Sequence, residues 1–416
     1  MLAVLGAAVA FAALLVIVTS KHRRSVLALL VGASAGLMAV QVFQIHLFTF
    51  IVVAWAILSR RDGKEFGTWQ AILTLVCAAP LAVTVLTGDL VNSPTLALQL
   101  LALAFCAAII VATANREDIT IMLYGLLAMA SVGSAWGVLQ VSGIAPNDVW
   151  HLDVSALGRP TGIYPEPDWL GMFAGLGLIL SWRMDVSPRW RIALVSINGF
   201  ALIFAFARAA WVAVAVSVVI GIFLSRRKAP KPGVHTGKGM ALGVLAMGGV
   251  IALVTIPSLA SDLSVRLSRT LTVADSDVSA QARVLQNDAL NFLSQTAPWY
   301  GHGLSSSGRV TVSGRLDYGE SVNNLGSNWI LSMWVDGAFL ALPLIALLLS
   351  VTFLCLRLIQ GQLLLLVLAN SFFSNATFQP IMWFLLALCL ASFRIGSAEK
   401  ALVGSMFSRR KEVQIT

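Results

Sequence analysis

The chain has 416 residues, of which 58% are hydrophobic and only 11% charged. An ordinary soluble domain carries about 25% charged residues, so these apolar runs exclude a water-soluble fold. The formal charge of +9 does not indicate a nucleic-acid partner, because its clusters lie beside apolar runs, where Lys and Arg mark the cytoplasmic side of membrane helices.

A spanning helix needs about 20 predominantly apolar residues. Such runs occupy 1–19, 25–44, 45–58, 69–86, 95–113, 119–141, 169–182, 191–207, 209–224, 240–256, 328–356, 363–374 and 380–394. They predict an all-α fold, a polytopic transmembrane helix bundle of about twelve spans. The stretch 25–58 reads either as a bent pair or as one span with a re-entrant piece. Met1–Thr19 is expected to be a retained first helix, because Lys21-His22-Arg23-Arg24 follows the apolar run rather than preceding it as in a signal peptide. Cys77, Cys106, Cys355 and Cys389 all lie inside apolar runs, with no CxxC pair and no Cys/His ligand spacing. They read as packing residues, and neither a disulfide framework nor a thiolate metal site is expected.

Lys and Arg bias in the short connections orients the set. Lys21–Arg24, Arg60 to Lys64, Arg183 to Arg191, Arg226 to Lys238 and Arg409-Arg410-Lys411 read as cytoplasmic. The alternating connections, Thr87–Pro94, Ser142–Asp168 and Ile256–Gly326, then fall on the outer side. The expected organisation is transmembrane helices with short loops over 1–255, a large extracytoplasmic (periplasmic) loop over 256–326, and C-terminal transmembrane helices with a cytoplasmic tail over 327–416. Within the loop, Asp275-Ser276-Asp277 offers N-cap chemistry. Val278, Ala282, Leu285, Ala289, Phe292 and Leu293 then recur at helical spacing, predicting an amphipathic helix on the membrane surface or over the bundle. Pro298 to Gly308 follows, with Gly301 and Gly303 permitting tight turns.

Chemistry-bearing residues gather on that outer side. Arg208 lies between two apolar runs, where it is either a functional charge or the mark of a tight hairpin, its head snorkelling into the headgroups. Arg159 and Glu166 share the segment 158–171, in which Pro165 and Pro167 stiffen the approach and Asp168 is positioned to cap a helix from Trp169. Arg283 sits on the predicted loop helix, where an arginine is ordinarily just solvated. Three arginines on one face suit an anionic ligand, since guanidinium forks match phosphate oxygens bidentately. A lipid-linked pyrophosphate is such a ligand, and arginines can stabilise its departure without a metal. No DxD-like carboxylate pair is placed to hold a divalent ion, and no cofactor is expected.

The order of these pieces resembles the bacterial O-antigen ligase and O-antigen polymerase superfamily of membrane glycosyltransferases over roughly residues 155–345. Arg159-Pro160-Thr161-Gly162-Ile163-Tyr164 to Pro167-Asp168 looks like its outer Arg-x-x-Gly-aromatic element. Ala207-Arg208-Ala209 looks like its Ser-Arg-Gly-like element between two spans. Arg283 with Pro298-Trp299-Tyr300-Gly301-His302-Gly303 looks like its loop arginine helix, and Ser327-Asn328-Trp329 to Asp336-Gly337 looks like the start of the next span. The resemblance implies that Arg208 and Arg283 bind the undecaprenyl pyrophosphate of a lipid-linked glycan donor. Glu166, Asp168, His302 and Glu320 are then candidates for the group that receives the acceptor's proton. Arg159, Tyr164, Asn323, Asn324 and Asn328 are candidate substrate contacts. Ligases carry a histidine just before the span after the large loop. Here Asn323, Asn324, Ser327 and Asn328 stand there instead. Asp168, Ala207 and Ala209 also replace the family's usual Asn, Ser and Gly. These departures favour a polymerase over a ligase. The partners implied are the polyprenyl-pyrophosphate-linked glycan, a glycan or lipid acceptor and the bilayer, at the outer face of the cytoplasmic membrane. A transporter or lipid-linked-oligosaccharide flippase is the alternative, and it would carry ionisable residues along several mid-bilayer spans.

Overall fold

The computed structural model describes residues 22–42, 44–58, 66–86, 93–146, 159–225, 278–309 and 326–413, with backbone alone at 225, 278–283 and 398–413. The described chain is a helical bundle whose only strands form a two-residue hairpin, Gln41–Val42 (β1) against Ile45–His46 (β2). The helices are α1 Arg23–Ala35, α2 Leu47–Leu58, α3 Phe66–Leu86, α4 Pro94–Thr113, α5 Arg116–Val141, α6 Pro167–Arg183, α7 Pro188–Phe204, α8 Arg208–Ser225, α9 Val278–Thr296, α10 Trp329–Gly337, α11 Leu342–Cys355, α12 Ile359–Asn370 and α13 Pro380–Val413.

Local sequence explains the starts and irregularities. Ser93 caps α4 by accepting from Leu96 N at 3.3 Å, and Asn115 with Asp118 forms a reciprocal capping box at α5. α3 widens to π geometry over Ala71–Ala78, just before Pro80. A proline has no N–H for the carbonyl four residues back and its ring crowds that carbonyl, and a wide turn relieves both.

Apart from α10 and α11, which together form one stretch, successive helices of the bundle run antiparallel, so their termini collect at two ends. At one end Arg24 pairs with Asp118 (Nε to Oδ1 2.9 Å), Tyr124 donates to Asp185 O at 2.7 Å, and Arg394 reaches Ala112 O and Ala114 O. At the other, His46 meets Phe378 O at 3.1 Å, Gln99 donates to Gln44 O at 2.6 Å, and Trp329 N donates to Ser371 O at 3.1 Å. Arg23, Arg24, Arg116, Arg183, Arg189, Arg191 and Arg357 lie at or near the first, arginine-rich end. Arg159, Arg208 and Arg309 belong to the second, the loop end.

Among the described residues, five helical stretches are long and apolar enough to cross a membrane: Phe66–Leu86, Pro94–Thr113, Arg116–Val141, Trp329–Cys355 and Pro380–Ser397. Leu47–Leu58, Arg208–Leu224 and Ile359–Asn370 are apolar but shorter. The expected segments 1–19 and 240–256 lie outside the described residues. The stretch 25–58 is two helices joined by the β-hairpin, a bent pair rather than a single span. The run 328–356 is broken over Ala338–Ala341, where Ala338 takes φ +43.

Helix contact depends on small residues. Gly32 and Gly125 let α1 and α5 meet backbone to backbone: a Cβ on Gly125 would stand 1.9 Å from Leu29 O, and one on Gly32 would stand 1.7 Å from Met122 O. Such close approach is how helices gain packing where apolar lipid offers no hydrophobic drive.

Candidate functional site

The segment from Arg159 to Glu166 is held down at the loop end by Gln140 of α5. Its buried Oε1 accepts from Thr161 N at 3.0 Å and Gly162 N at 2.7 Å. Gly162 takes φ +63 and lies against Gly133, where a Cβ would stand 2.6 Å from the carbonyl oxygen. Tyr164 then turns inward: it is 1% exposed and stacks on Phe173 with centroids 4.5 Å apart. Burial pushes its phenol above the ordinary tyrosine range. The candidate substrate contact Tyr164 is therefore a packing residue that fixes the segment.

α6 starts earlier than its sequence suggested. Pro167 occupies the first turn, where a missing N–H costs nothing, and Glu166 is the residue before it. Asp168 does not cap; it lies inside the first turn and pairs with Arg159, Nη1 to Oδ1 3.4 Å. Glu166, at the N-cap position of α6, is exposed.

Arg159 also donates to Phe206 O at 3.5 Å, and this joins the segment to the α7–α8 hairpin. That hairpin is tight: Phe206 takes φ +50, a left-handed conformation uncommon for a bulky residue. Trp211 Nε1 donates to Leu202 O at 2.8 Å across it. Gly171 admits the hairpin against α6, since a Cβ there would stand 2.6 Å from Ala207 Cβ and 3.1 Å from Ala210 Cβ. Arg208 opens α8 directly after this turn. The Arg159–Asp168 pair thus lies against the turn from which Arg208 opens α8, so three sequence segments meet beside the N-termini of α6 and α8. The helix N-termini give this corner of the bundle its preference for an anion.

A second polar group lies under the loop 298–309. Gly301 (φ +79), Gly303 (φ +103) and Ser305 (φ +86) bend it tightly. His302 N and Gly303 N donate to Val335 O at 2.8 Å and Asp336 O at 3.0 Å. The buried Asp336 carboxylate accepts from Ser307 N at 2.7 Å and Ser307 Oγ at 3.2 Å. His302 is 7% exposed, and its Nε2 lies 3.1 Å from Leu293 O and 3.4 Å from Thr296 Oγ1. It therefore ties the loop to α9. Asn328 caps α10, its Oδ1 accepting from Ile330 N and Leu331 N at 3.2 and 3.3 Å.

α9 forms where the apolar spacing predicted it, but with a different inner face. Leu290 and Leu293 are buried against Val335, with Ala289 and Leu331 beside them, whereas Leu285 and Phe292 are exposed. Arg283 lies on α9 at a position where only the backbone is described. Glu320, Asn323 and Asn324 lie outside the described residues, as do the expected caps Asp275 and Asp277. Among the described residues no group of three or more His, Cys, Asp or Glu side chains is placed to hold a metal ion. Sequence reasoning missed Gln140, the clamp of the Arg159 segment, and Asn370, a fully buried amide at the end of α12. A polar residue closing the run Leu363-Leu364-Leu365-Leu366-Val367-Leu368-Ala369 was the available signal for Asn370.

Compared with family models, with curated proteins and with solved structures, the chain matches none.

Proposed function

We propose that this membrane protein is a glycosyltransferase of the O-antigen polymerase or ligase type, acting on a polyprenyl-pyrophosphate-linked glycan, with polymerase favoured. The observation that carries the reading is the convergence of Arg159, Asp168 and Arg208 at one end of the bundle, beside two helix N-termini. An anionic headgroup fits such a site while its prenyl chain remains among apolar helices. The bias of described arginines towards the opposite end supports placing this site on the extracytoplasmic face of the cytoplasmic membrane.

In this reaction an acceptor hydroxyl oxygen bonds to the anomeric carbon of the donor with inversion. The bond from that carbon to the pyrophosphate oxygen breaks, and the lipid pyrophosphate leaves with the electron pair. Arg208, Arg283 and Arg159 hold the growing negative charge. The hydroxyl proton passes to a carboxylate, with Glu166, Asp168 and Glu320 as candidates. His302 is the less suitable acceptor, because its Nε2 faces Leu293 O. The ligase variant is less favoured because no histidine stands just before α10, where Asn323, Asn324, Ser327 and Asn328 lie instead.

A second reading, a transporter or flippase, draws on polar groups inside the bundle: Ser217, Gln362 and Asn370 are buried on α8 and α12. Envelope polysaccharide from a deletion strain, complemented with wild type, Arg208→Ala or Arg159→Ala, separates the two. Loss of long chains, restored by wild type and not by normally expressed arginine variants, is the expected result. A residual single-repeat product marks a polymerase, and an unattached lipid-linked polymer marks a ligase. An unchanged profile, or full rescue by both variants, overturns the transferase reading in favour of transport.

A further inference from the structure

The contacts of α6, α8 and α12 resolve into layers. A Cβ on Gly175 would meet Val214 Cγ2 at 2.4 Å and Leu366 Cδ1 at 3.3 Å, so these three residues share one level. One turn towards the loop end, Gly171 meets Ala207 and Ala210. Asn370 is four residues beyond Leu366 on the same face of α12, and α12 runs antiparallel to α6, so Asn370 belongs to the Gly171 and Ala210 level. Asp168, paired with Arg159, is the next turn of α6 above it.

Asn370 is 0% exposed, and neither Nδ2 nor Oδ1 has a hydrogen-bond partner. Its neighbours at this level, Gly171, Ala207 and Ala210, have no polar side chain to offer. A buried amide without partners is a standing destabilisation and calls for a group that is supplied from elsewhere. Arg159 repeats the pattern one turn above, its Nε buried without a hydrogen-bond partner. Phe206, whose own carbonyl Arg159 reaches, is held in a left-handed conformation, and such outliers concentrate at ligand sites.

We propose that Asn370 is the floor of the anion site: its Nδ2 donates to a phosphate oxygen of the ligand, below Arg159 and Arg208. This rests on the reading of that cluster as a lipid-pyrophosphate site and adds a specificity residue to it. An amide donor recognises an acceptor oxygen without adding charge, so product release is not opposed by a further cation.

The test uses the full-length protein in lipid nanodiscs, with inorganic pyrophosphate and geranylgeranyl pyrophosphate as probes and wild type, Asn370→Leu, Asn370→Asp and Arg208→Ala as proteins. Leucine has the same branching and heavy-atom count as asparagine and removes both orphaned atoms. Asn370→Leu is therefore expected to keep or raise the thermal midpoint of the unliganded protein while weakening geranylgeranyl pyrophosphate binding about tenfold or more. Asn370→Asp, which sets a carboxylate against the anion, is expected to weaken it further and provides the same reading should the leucine variant fail to fold. Tighter binding of the prenylated probe supports a lipid-linked ligand, and equal binding of both supports a free anion at the same floor. Unchanged affinity in both Asn370 variants, with loss in Arg208→Ala, overturns the proposal and leaves Asn370 as the seat of a buried water. Unchanged affinity in Arg208→Ala as well overturns the anion site itself.

Discussion

Asp168 competes with any anionic ligand for Arg159, and that competition has a sign that can be measured. Its carboxylate stands 3.4 Å from Arg159 Nη1, with side chains 12% and 19% exposed, so solvent screens the pair only in part. A phosphate on the outer edge of the Arg159 fork would lie roughly 6 Å from Asp168, where two unit charges at an effective dielectric near 20 repel by about 3 kcal/mol. Salt and partial exposure reduce this to about 1–2 kcal/mol. Asp168→Asn keeps the shape, removes the charge, and is expected to tighten binding of geranylgeranyl pyrophosphate by about five- to thirtyfold. Arg159→Ala should weaken it by a similar factor. The double variant should resemble Arg159→Ala, because Asp168 acts through Arg159; the cycle therefore yields a coupling energy of the same size. Calorimetric titration of the purified protein in nanodiscs at low and high salt is the assay, and added salt should shrink the difference. Weaker or unchanged binding in Asp168→Asn, with a normal thermal midpoint, would refute the electrostatic description of the site. If Asp168 also receives the acceptor's proton, Asp168→Asn will bind donor better and turn it over worse, a separation no purely structural role produces.

Other expectations follow from the packing. Gly125→Ala sets a methyl group 1.9 Å from the backbone oxygen of Leu29 and should cost about 3 kcal/mol in detergent unfolding, whereas Gly67→Ala, with nothing within 4 Å, should be neutral or slightly stabilising. Burial raises the Tyr164 phenol above its ordinary range, so native protein titrated by phenolate absorbance should keep this ring protonated, and Tyr164→Phe should leave the titrating amplitude unchanged. The same shift contributes stability that is complete below about pH 10 and declines as pH rises past the unfolded value; a phenolate signal from Tyr164 before unfolding would contradict its burial. Asp336→Ala removes the acceptor of both Ser307 bonds and should release the 298–309 loop to limited proteolysis, at a cost of about 1.5–3 kcal/mol. Asn328→Ala, which loses the α10 cap, should cost about 1 kcal/mol.

Much of the fold was legible because spans are written in long apolar runs. The starts of α4, α6, α8 and α13 fall within two residues of the expected boundaries. The α9 face was misread, since apolar residues on a helix beside a membrane need not mark its packed side: Leu290 and Leu293 meet α10 while Phe292 remains exposed. The break at Ala338 was invisible in a run apolar on both sides of it. For the site, Arg159 and Arg208 stood out as charges among apolar runs, and the structure sets Arg159 against the turn that leads into Arg208. Their partner did not: Pro167 moved the helix start, taking Asp168 from a cap to an ion pair. Tyr164 read as a candidate substrate contact, whereas its segment is held down by Gln140 and turns the ring inward.

Asn370 exposes a general limit of reading charge alone. Guanidinium and carboxylate groups announce themselves in an apolar sequence because burying them unpaired is so costly. A neutral amide costs less to bury, and Asn or Ser at a helix terminus usually serves as a cap, so it attracts little notice. Only the structure shows that both ends of this buried amide lack a hydrogen-bond partner. The small residues Gly171, Ala207 and Ala210 allow α6 and the α7–α8 hairpin to approach closely. Small residues and an unanswered amide thus belong to one arrangement: the first brings α6 and the hairpin together, and the second leaves a hydrogen bond for the ligand to complete.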